Sequence, residues 1–436
     1  MRRLPLLLTT LALAAGLTAL GTVDRPPGGR AGSGTAVRPP AAAPSPTDPL
    51  GRAIAADQQR LRALPEDAGT WAKLGSEYVE QARLTADSAY YPRADEALRR
   101  SLSLAPQANA AALTGLGALA NARHLFDQAR DHAERAIAAD PAHWPAYAVL
   151  ADARTQLGDD LGATEAVQQL LDRRPGTASF TRAAYDLEQH GRTEDARAAL
   201  GQALASAHAP ADRAFCHHQI AELDWNAGQF DRSLTGYRDA LTADPSYTPA
   251  LAGQARAEAA LGRTDDAVRD YTTAIARVPL PQYLLELGEL HESLGHRDQA
   301  QQQYRVLTAE QRLAAANGVN DDLSLGQYEA DHADPAEAVR LLRAEWGRRR
   351  HALVADALAW ALHRTGADTE ALELAETSTR LGWKNALFDF HLGEIELSLG
   401  HTPQARTHLT RALATNPAFH PLHATTARTD LASLPD

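Results

Sequence analysis

Seven glycines mark time along this chain. Gly158, Gly191, Gly228, Gly262, Gly295, Gly366 and Gly400 each stand five residues ahead of a small residue, namely Ala163, Ala196, Ser233, Ala267, Ala300, Ala371 and Ala405. With 29 glycines in 436 residues the chain uses glycine at an average rate, so seven hits in ten aligned copies are not a product of composition. Pro106, Pro141 and Pro175, then Pro245 and Pro279, keep a step of 34 or 35 residues. A period of this length means stacked supersecondary units.

Upstream of each glycine lies a second small column: Gly75, Gly117, Ala151, Ala184, Ala221, Ala255, Gly288, Gly326, Ala359 and Gly393. Large apolar residues recur around it at three- and four-residue spacing, as in Leu113, Leu116, Leu125 and Ile137, which is the mark of helices with one buried face. Each unit therefore reads as two helices. Glycine ends the first because it adopts the left-handed C′ conformation without steric cost, and the polar residues after it start the second. In "AEAALGRTDDAVRDYTTAIARVP", residues 257 to 279, Gly262 closes one helix, Thr264 is the expected N-cap of the next and Pro279 marks the exit. Small columns let paired helices approach closely while larger neighbours interdigitate.

Ten units are expected, beginning near 68, 110, 144, 177, 214, 248, 281, 319, 352 and 386. The first carries extra residues around "LTADSAYYPR" (84 to 93), the seventh runs on through 309 to 322, and the eighth has Ala333 where the glycine should stand. Ahead of the array (65–420), residues 49–64 are expected to form a capping helix, with Asp48 as N-cap and Pro49 in the first turn. Residues 421–436 are expected to cap or trail the other end.

"TWAKLGSEY" (Thr70 to Tyr78), "LLELGEL" (Leu284 to Leu290) and "NPAFHP" (Asn416 to Pro421) give the chain, over about residues 66 to 420, a pattern that resembles the tetratricopeptide repeat (TPR) family. The chain also looks like secreted tetratricopeptide proteins of high-GC bacteria. The resemblance implies an all-α fold, a right-handed superhelical solenoid of about ten helix-turn-helix units whose first helices line the concave side. It also implies binding of a protein or peptide rather than catalysis. By the repeat register the solvent-facing concave positions, and hence the expected partner contacts, include Tyr185, Gln189, His218, Glu222, Asn226, Arg256, Glu289, Gln327, Trp360, His363, Phe390, His391 and Glu394. Family members that grip a peptide's C-terminal carboxylate use Lys or Arg and Asn at set first-helix positions. Here those positions hold residues such as Ala, Leu and Glu, so an extended or helical segment with polar and basic groups fits better.

The net charge of −12, with no basic run, argues against nucleic acid, whose binding draws on clustered Lys and Arg. Residues 1–23 pair Arg2 and Arg3 with an apolar run that has small residues at Ala19 and Gly21, the pattern of a cleavable export signal, with an uncleaved membrane anchor through residues 4–23 as the alternative. Residues 24–48, rich in Pro, Gly and Ala, read as a disordered linker. A secreted or envelope location follows as the expectation. The lone Cys216 forms no intramolecular disulfide and lies in an apolar helical pattern as a buried small side chain.

Seventeen histidines invite a second reading, an envelope hydrolase or metal-binding protein using His363, His391 and the Asp331–His332 pair of "EADHADP". No nucleophile elbow, Walker loop or dinucleotide-binding glycine pattern occurs, and "HESLGH" at 291 to 296 is one residue too long for a zinc-protease helix. The expectation is a non-enzyme with no cofactor, no assigned metal ligands and no catalytic residues.

Overall fold

The computed structural model describes residues 49–434 apart from Ala86 and Asn320, so the expected signal, linker and Asp48 cap lie outside the described residues. Among these, every regular element is helical: twenty-two α-helices and one 3-10 turn. A single helix, α1 (Pro49–Ala63), precedes ten hairpins. The first five pair α2 (Ala68–Thr85) with α3 (Tyr91–Leu104), α4 (Ala110–Ala122) with α5 (Phe126–Ala139), α6 (Trp144–Leu157) with α7 (Asp160–Arg173), α8 (Thr177–Gln189) with α9 (Thr193–Ser206), and α10 (Pro210–Asn226) with α11 (Phe230–Ala243). The next five pair α12 (Thr248–Ala260) with α13 (Thr264–Arg277), α14 (Pro281–Ser293) with α15 (Arg297–Ala316), α16 (Leu323–His332) with α17 (Pro335–Arg348), α18 (Ala352–Arg364) with α19 (Asp368–Thr379), and α20 (Ala386–Ser398) with α21 (Thr402–Thr415). A final helix, α22 (His423–Ser433), closes the array.

The hairpins form for the reasons the period implies. All seven marker glycines sit at positive φ, between 68° and 81°, and turn the chain from one helix into the next. The small columns are the places of closest helix approach. A Cβ on Gly75 would lie 2.5 Å from Leu98 and one on Gly326 2.5 Å from Leu342, while Ala221, Ala255 and Ala359 are fully buried. At these glycine positions a large residue of the second helix fills the gap that the small residue of the first leaves open, and burying such a Leu or Tyr is worth about 1.5–3 kcal/mol.

Local details depart from the sequence reading. Thr264 is the first helical residue of α13, and Arg263 occupies the cap position without a side-chain bond, because the turn after Gly262 is one residue tighter than an N-cap Thr264 requires. The first hairpin absorbs its extra residues in the turn Ser88–Tyr90, capped by Asp87 and seated by a buried Tyr90. In the seventh, α15 runs to 20 residues. In the eighth, Ala333 takes a non-helical conformation at φ −143° instead of the left-handed one, and α16 is correspondingly short at 10 residues. The glycine column of the second hairpin holds His124, which adopts φ +57° all the same.

The array winds far enough to meet itself. The loops that leave α17, α19 and α21 land on the glycine turns of the third, fourth and fifth hairpins. Arg349 Nε donates to Gln156 Oε1 at 2.6 Å and Asn416 Nδ2 to the Trp225 carbonyl at 2.8 Å, across 193 and 191 positions. Arg380 pairs with Asp160 at 2.5 Å. His351 reaches Gln189 and Tyr185 at 3.0 and 3.1 Å. The expectation that the concave residues all face solvent is overturned: Gln189, Glu289, Trp360, Phe390 and His391 are buried where later hairpins and the chain around residue 420 meet them, and His218 is buried locally against Tyr237 and Tyr247.

Gly158 and Gly262 separate the local and long-range roles of the turn. Both have nearly the same φ, 73° and 75°, yet a Cβ on Gly158 would lie 2.7 Å from the Arg350 carbonyl oxygen whereas one on Gly262 meets nothing within 4 Å. Gly262→Ala should cost about 1 kcal/mol for the left-handed backbone alone. Gly158→Ala should cost about 1–3 kcal/mol more from the forced separation of the two turns. Urea denaturation of the two variants beside the parent chain reads the difference; equal midpoints would mean that the turns do not press on one another.

Candidate functional site

The first helices of the hairpins turn one side inward, and the inward side chains fall into three groups. The first group is consumed by closure. Tyr185 and Gln189 on α8 meet His351, whose ring lies over the Tyr185 ring at 6.3 Å, and Trp383 packs edge-on to Tyr185 at 6.0 Å. His351 Nδ1 accepts the Leu353 backbone N–H, so Nε2 carries the hydrogen and the ring is neutral. Burial, helped by the nearby Arg349 charge, pushes its pKa down to about 3. Beside it Asn226 donates to Glu188 at 3.0 Å, and burial pushes the Glu188 carboxyl up to about 7.

The second group is a ladder across α10, α12 and α14. Arg256 Nη2 donates to both oxygens of Glu222 at 2.6 and 2.7 Å, and Tyr237 donates its hydroxyl to the same carboxylate at 2.6 Å. The guanidinium lies 4.7 Å from the Trp225 ring centre, a cation–π geometry. Glu286 stands 3.9 Å from Arg256 and accepts from Tyr271 at 2.9 Å and Gln282 at 2.8 Å. His218, buried below, is 3.4 Å from Glu222. Burial opposes ionisation of both acids, yet they divide: the Arg256 charge holds Glu222 below the usual carboxylate range, while Glu286, farther from that charge, is raised. Burial lowers His218. The side chains of Glu222, Arg256 and Glu286 keep 22–24% exposure, so this wall is half-buried and not sealed, and no described loop from a later hairpin is bonded across it as His351 is across Tyr185 and Gln189.

The third group gathers imidazoles and carboxylates at the C-terminal end. His332 holds a carboxylate at each ring nitrogen, Glu289 at 3.3 Å from Nε2 and Glu292 at 3.0 Å from Nδ1, an arrangement that suits the doubly protonated imidazolium. Burial works against that charge, but the hydrogen bond and charge of Glu289 raise its pKa above the usual histidine value. Glu289, which also meets His420 at 3.1 Å, is drawn down to about 2, burial notwithstanding, by His420 and His332. Asp331 points elsewhere, accepting from Trp360 Nε1 at 2.8 Å and meeting His423 at 3.2 Å. Asp331 and His332, adjacent in sequence, therefore belong to different pairs and do not form one acid–base dyad.

His363 and His391 flank the Trp360 ring at 5.0 and 4.3 Å, but their nitrogens turn to separate acids, Asp368 at 2.6 Å and Asp356 at 3.0 Å. Phe390 is fully buried between Trp360, Phe419 and the His423 ring. Glu394 is pushed up to about 7 by burial and by Asp430, and Gln327 lies half-buried on α16. Cys216 is fully buried and its thiol is pushed up to about 12, which leaves little thiolate for chemistry. Sequence reasoning passed over Glu286, Glu188 and Trp383, and counted His351, His420 and His423 among the C-terminal histidines without placing them in the site. Glu286 alone had a local signal, standing one helical turn before Glu289 on the same helix.

Comparison with known proteins agrees with the repeat. A tetratricopeptide repeat family model matches residues 218–279 and 252–315. No curated protein matches the chain. Among solved structures, the chain is similar to PilW, described as a widely conserved type IV pilus biogenesis factor, at 23% identity over 46% of this chain and 92% of that one, with a TM-score of 0.39. It is similar to TTC0263, a thermophilic TPR protein in Thermus thermophilus, at 23% identity over 44% and 98% of the chains, with a TM-score of 0.38. A human IFIT1 dimer with PPP-AAAA shares 16% identity over 75% and 77% of the chains, with a TM-score of 0.48.

The Glu289–His332 pair makes stability depend on pH in a defined sense. A depressed carboxyl contributes stability that is present above its unfolded pKa of about 4.3 and lost as pH falls toward its folded value. A raised imidazole contributes stability that is present below its unfolded pKa of about 6.5 and lost as pH rises through the folded one. Both contributions coexist between those two unfolded values. Glu289→Gln should therefore cost about 3 kcal/mol near pH 6, from leaving a buried cation short of a partner, and distinctly less at pH 9. Urea titrations of parent and variant at the two pH values test this; a cost independent of pH would show that the pair is not ionic.

Proposed function

We propose that this chain is a non-catalytic scaffold that holds a protein partner by a polar or basic segment laid against the inner wall of α10, α12 and α14. The observation that carries the reading is the Glu222–Arg256–Glu286 ladder, in which Glu222 and Arg256 share one repeat position on successive hairpins and Glu286 joins them from one helical turn earlier on the third, and which stays partly accessible. A basic side chain entering there meets the raised carboxyl of Glu286, whose ionisation it would favour and whose incomplete pairing with Arg256 it would complete. Burial of charge in a narrow wall favours a partner that supplies the opposite charge over one that brings phosphates, so nucleic acid is not the proposed ligand.

The proposed setting is outside the cytoplasm, at the envelope or beyond it. The support is the arginine pair and apolar run at the start of the sequence; no described helix is long and apolar enough to cross a membrane. For the hydrolase reading the geometry offers little, since Asp331, His332, His363 and His391 each turn to a different partner.

Crosslinking in intact cells, followed by capture of the chain and identification of what comes with it, tests the proposal. Glu286→Arg should reduce recovery of a reproducible partner at least tenfold, about 1.4 kcal/mol, while the helical circular dichroism of the purified variant stays unchanged. Undiminished recovery from a folded variant would remove the inner wall from consideration.

A further inference from the structure

The second hairpin breaks the glycine rule at a place where the break brings an imidazole against two carboxylates. His124 stands in the glycine column at φ +57°, a conformation that costs a side-chain-bearing residue strain which glycine would avoid. Its ring stacks on Phe126 at 5.3 Å between centres. Opposite it lie Asp321, in the loop that leads into α16, and Glu345, fully buried on α17, and the ligating atoms of all three fall within 4.8 Å of one another. The two sides are about 200 residues apart in sequence and meet only because the array winds back on itself.

We propose that His124, Asp321 and Glu345 bind one divalent transition-metal ion of the zinc, nickel or cobalt class, which ties the second hairpin to the eighth. One nitrogen and two carboxylate oxygens suit such ions better than magnesium or calcium, which prefer all-oxygen shells. Ligands around a tetrahedral zinc sit about 3.4 Å apart, given bond lengths of about 2.0–2.2 Å, so small side-chain rotations close the triad. The local charges leave room for a cation. Arg348 pairs with Glu345 at 2.6 Å and with Asp322 at 2.5 Å, and Arg349 approaches Glu345 at 3.5 Å while donating to Gln156. Asp321, Asp322 and Glu345 carry one more charge than Arg348 and Arg349, and Arg340, within electrostatic reach of Asp322, is itself paired with Glu337. Glu345 Oε2 accepts from Arg348 and from the Asp322 backbone, whereas Oε1 accepts only a long bond, 3.5 Å, from Arg349 and keeps a lone pair for an ion. Asp321 Oδ1 likewise accepts only a long bond, 3.3 Å, from the Leu323 backbone.

Thermal unfolding of the full chain, stripped with chelator and then titrated with zinc, nickel or magnesium chloride, tests the site together with elemental analysis of the loaded protein. Zinc or nickel should raise the midpoint by several degrees at one ion per chain, and magnesium should not, because a ligand that binds only the folded state stabilises it. His124→Gly is the informative variant, since it restores the residue that the repeat uses elsewhere. It should unfold at the same or a higher temperature without metal, yet lose the zinc response; Asp321→Asn should lose it too. No response in the parent chain, an undiminished response in His124→Gly, or an equal response to magnesium would overturn the proposal.

Discussion

Close approach of the paired helices is the constraint on which the rest of this structure depends. In four hairpins a glycine on the first helix faces a large residue on its partner, Gly75 against Leu98, Gly288 against Tyr304, Gly326 against Leu342 and Gly393 against Leu409, and this sets how near the two axes lie. Repeated ten times with little variation, the hairpin sets a fixed rotation from one unit to the next. The accumulated rotation is large enough to bring the loops after α17, α19 and α21 down on the glycine turns of the third, fourth and fifth hairpins. A solenoid held only by nearest neighbours would flex along its length. Here Arg349, Arg380 and Asn416 add long-range bonds that couple distant hairpins directly.

Closure also redistributes the polar interior. In an open superhelix the inward side chains of every first helix would be available to a partner. In this molecule the α8 positions are spent on the His351 and Trp383 loops, and Glu289 of α14 with the α18 and α20 positions on the segment around His420 and His423. What remains accessible is the wall between them. The buried acids and imidazoles on either side settle their charges within the chain, Glu289 with His332 and His420, and Asp331 with Trp360 and His423. They act as internal joints between hairpins rather than as free reagents.

The sequence made the hairpin period, the helix boundaries to within a few residues and the two small columns readable, because each depends on neighbours within one or two helical turns. Even the irregular hairpins were visible as departures from the beat, at 84 to 93, at 309 to 322 and at Ala333. Among the inward residues, the register put Glu222 and Arg256 at the same position of successive first helices, and the two pair at 2.6 Å. It assigned the same accessibility to Phe390 and Gln189, which are buried, since periodicity says which way a side chain points and not what stands opposite. Nor could it reveal that His124 keeps the left-handed turn that glycine makes elsewhere, or that Asp321 and Glu345 lie across from it.

By itself, then, the amino-acid order determined the unit and its repetition: helical periodicity, turn chemistry and small-against-large packing are local, and local rules leave local marks. Only the tertiary structure decided which inward residues stay open and which titratable groups meet. Those outcomes rest on the curvature of the whole array, the sum of many small rotations, and a slight change in any of them would move residues about 190 positions apart past one another. No short stretch of sequence carries that sum.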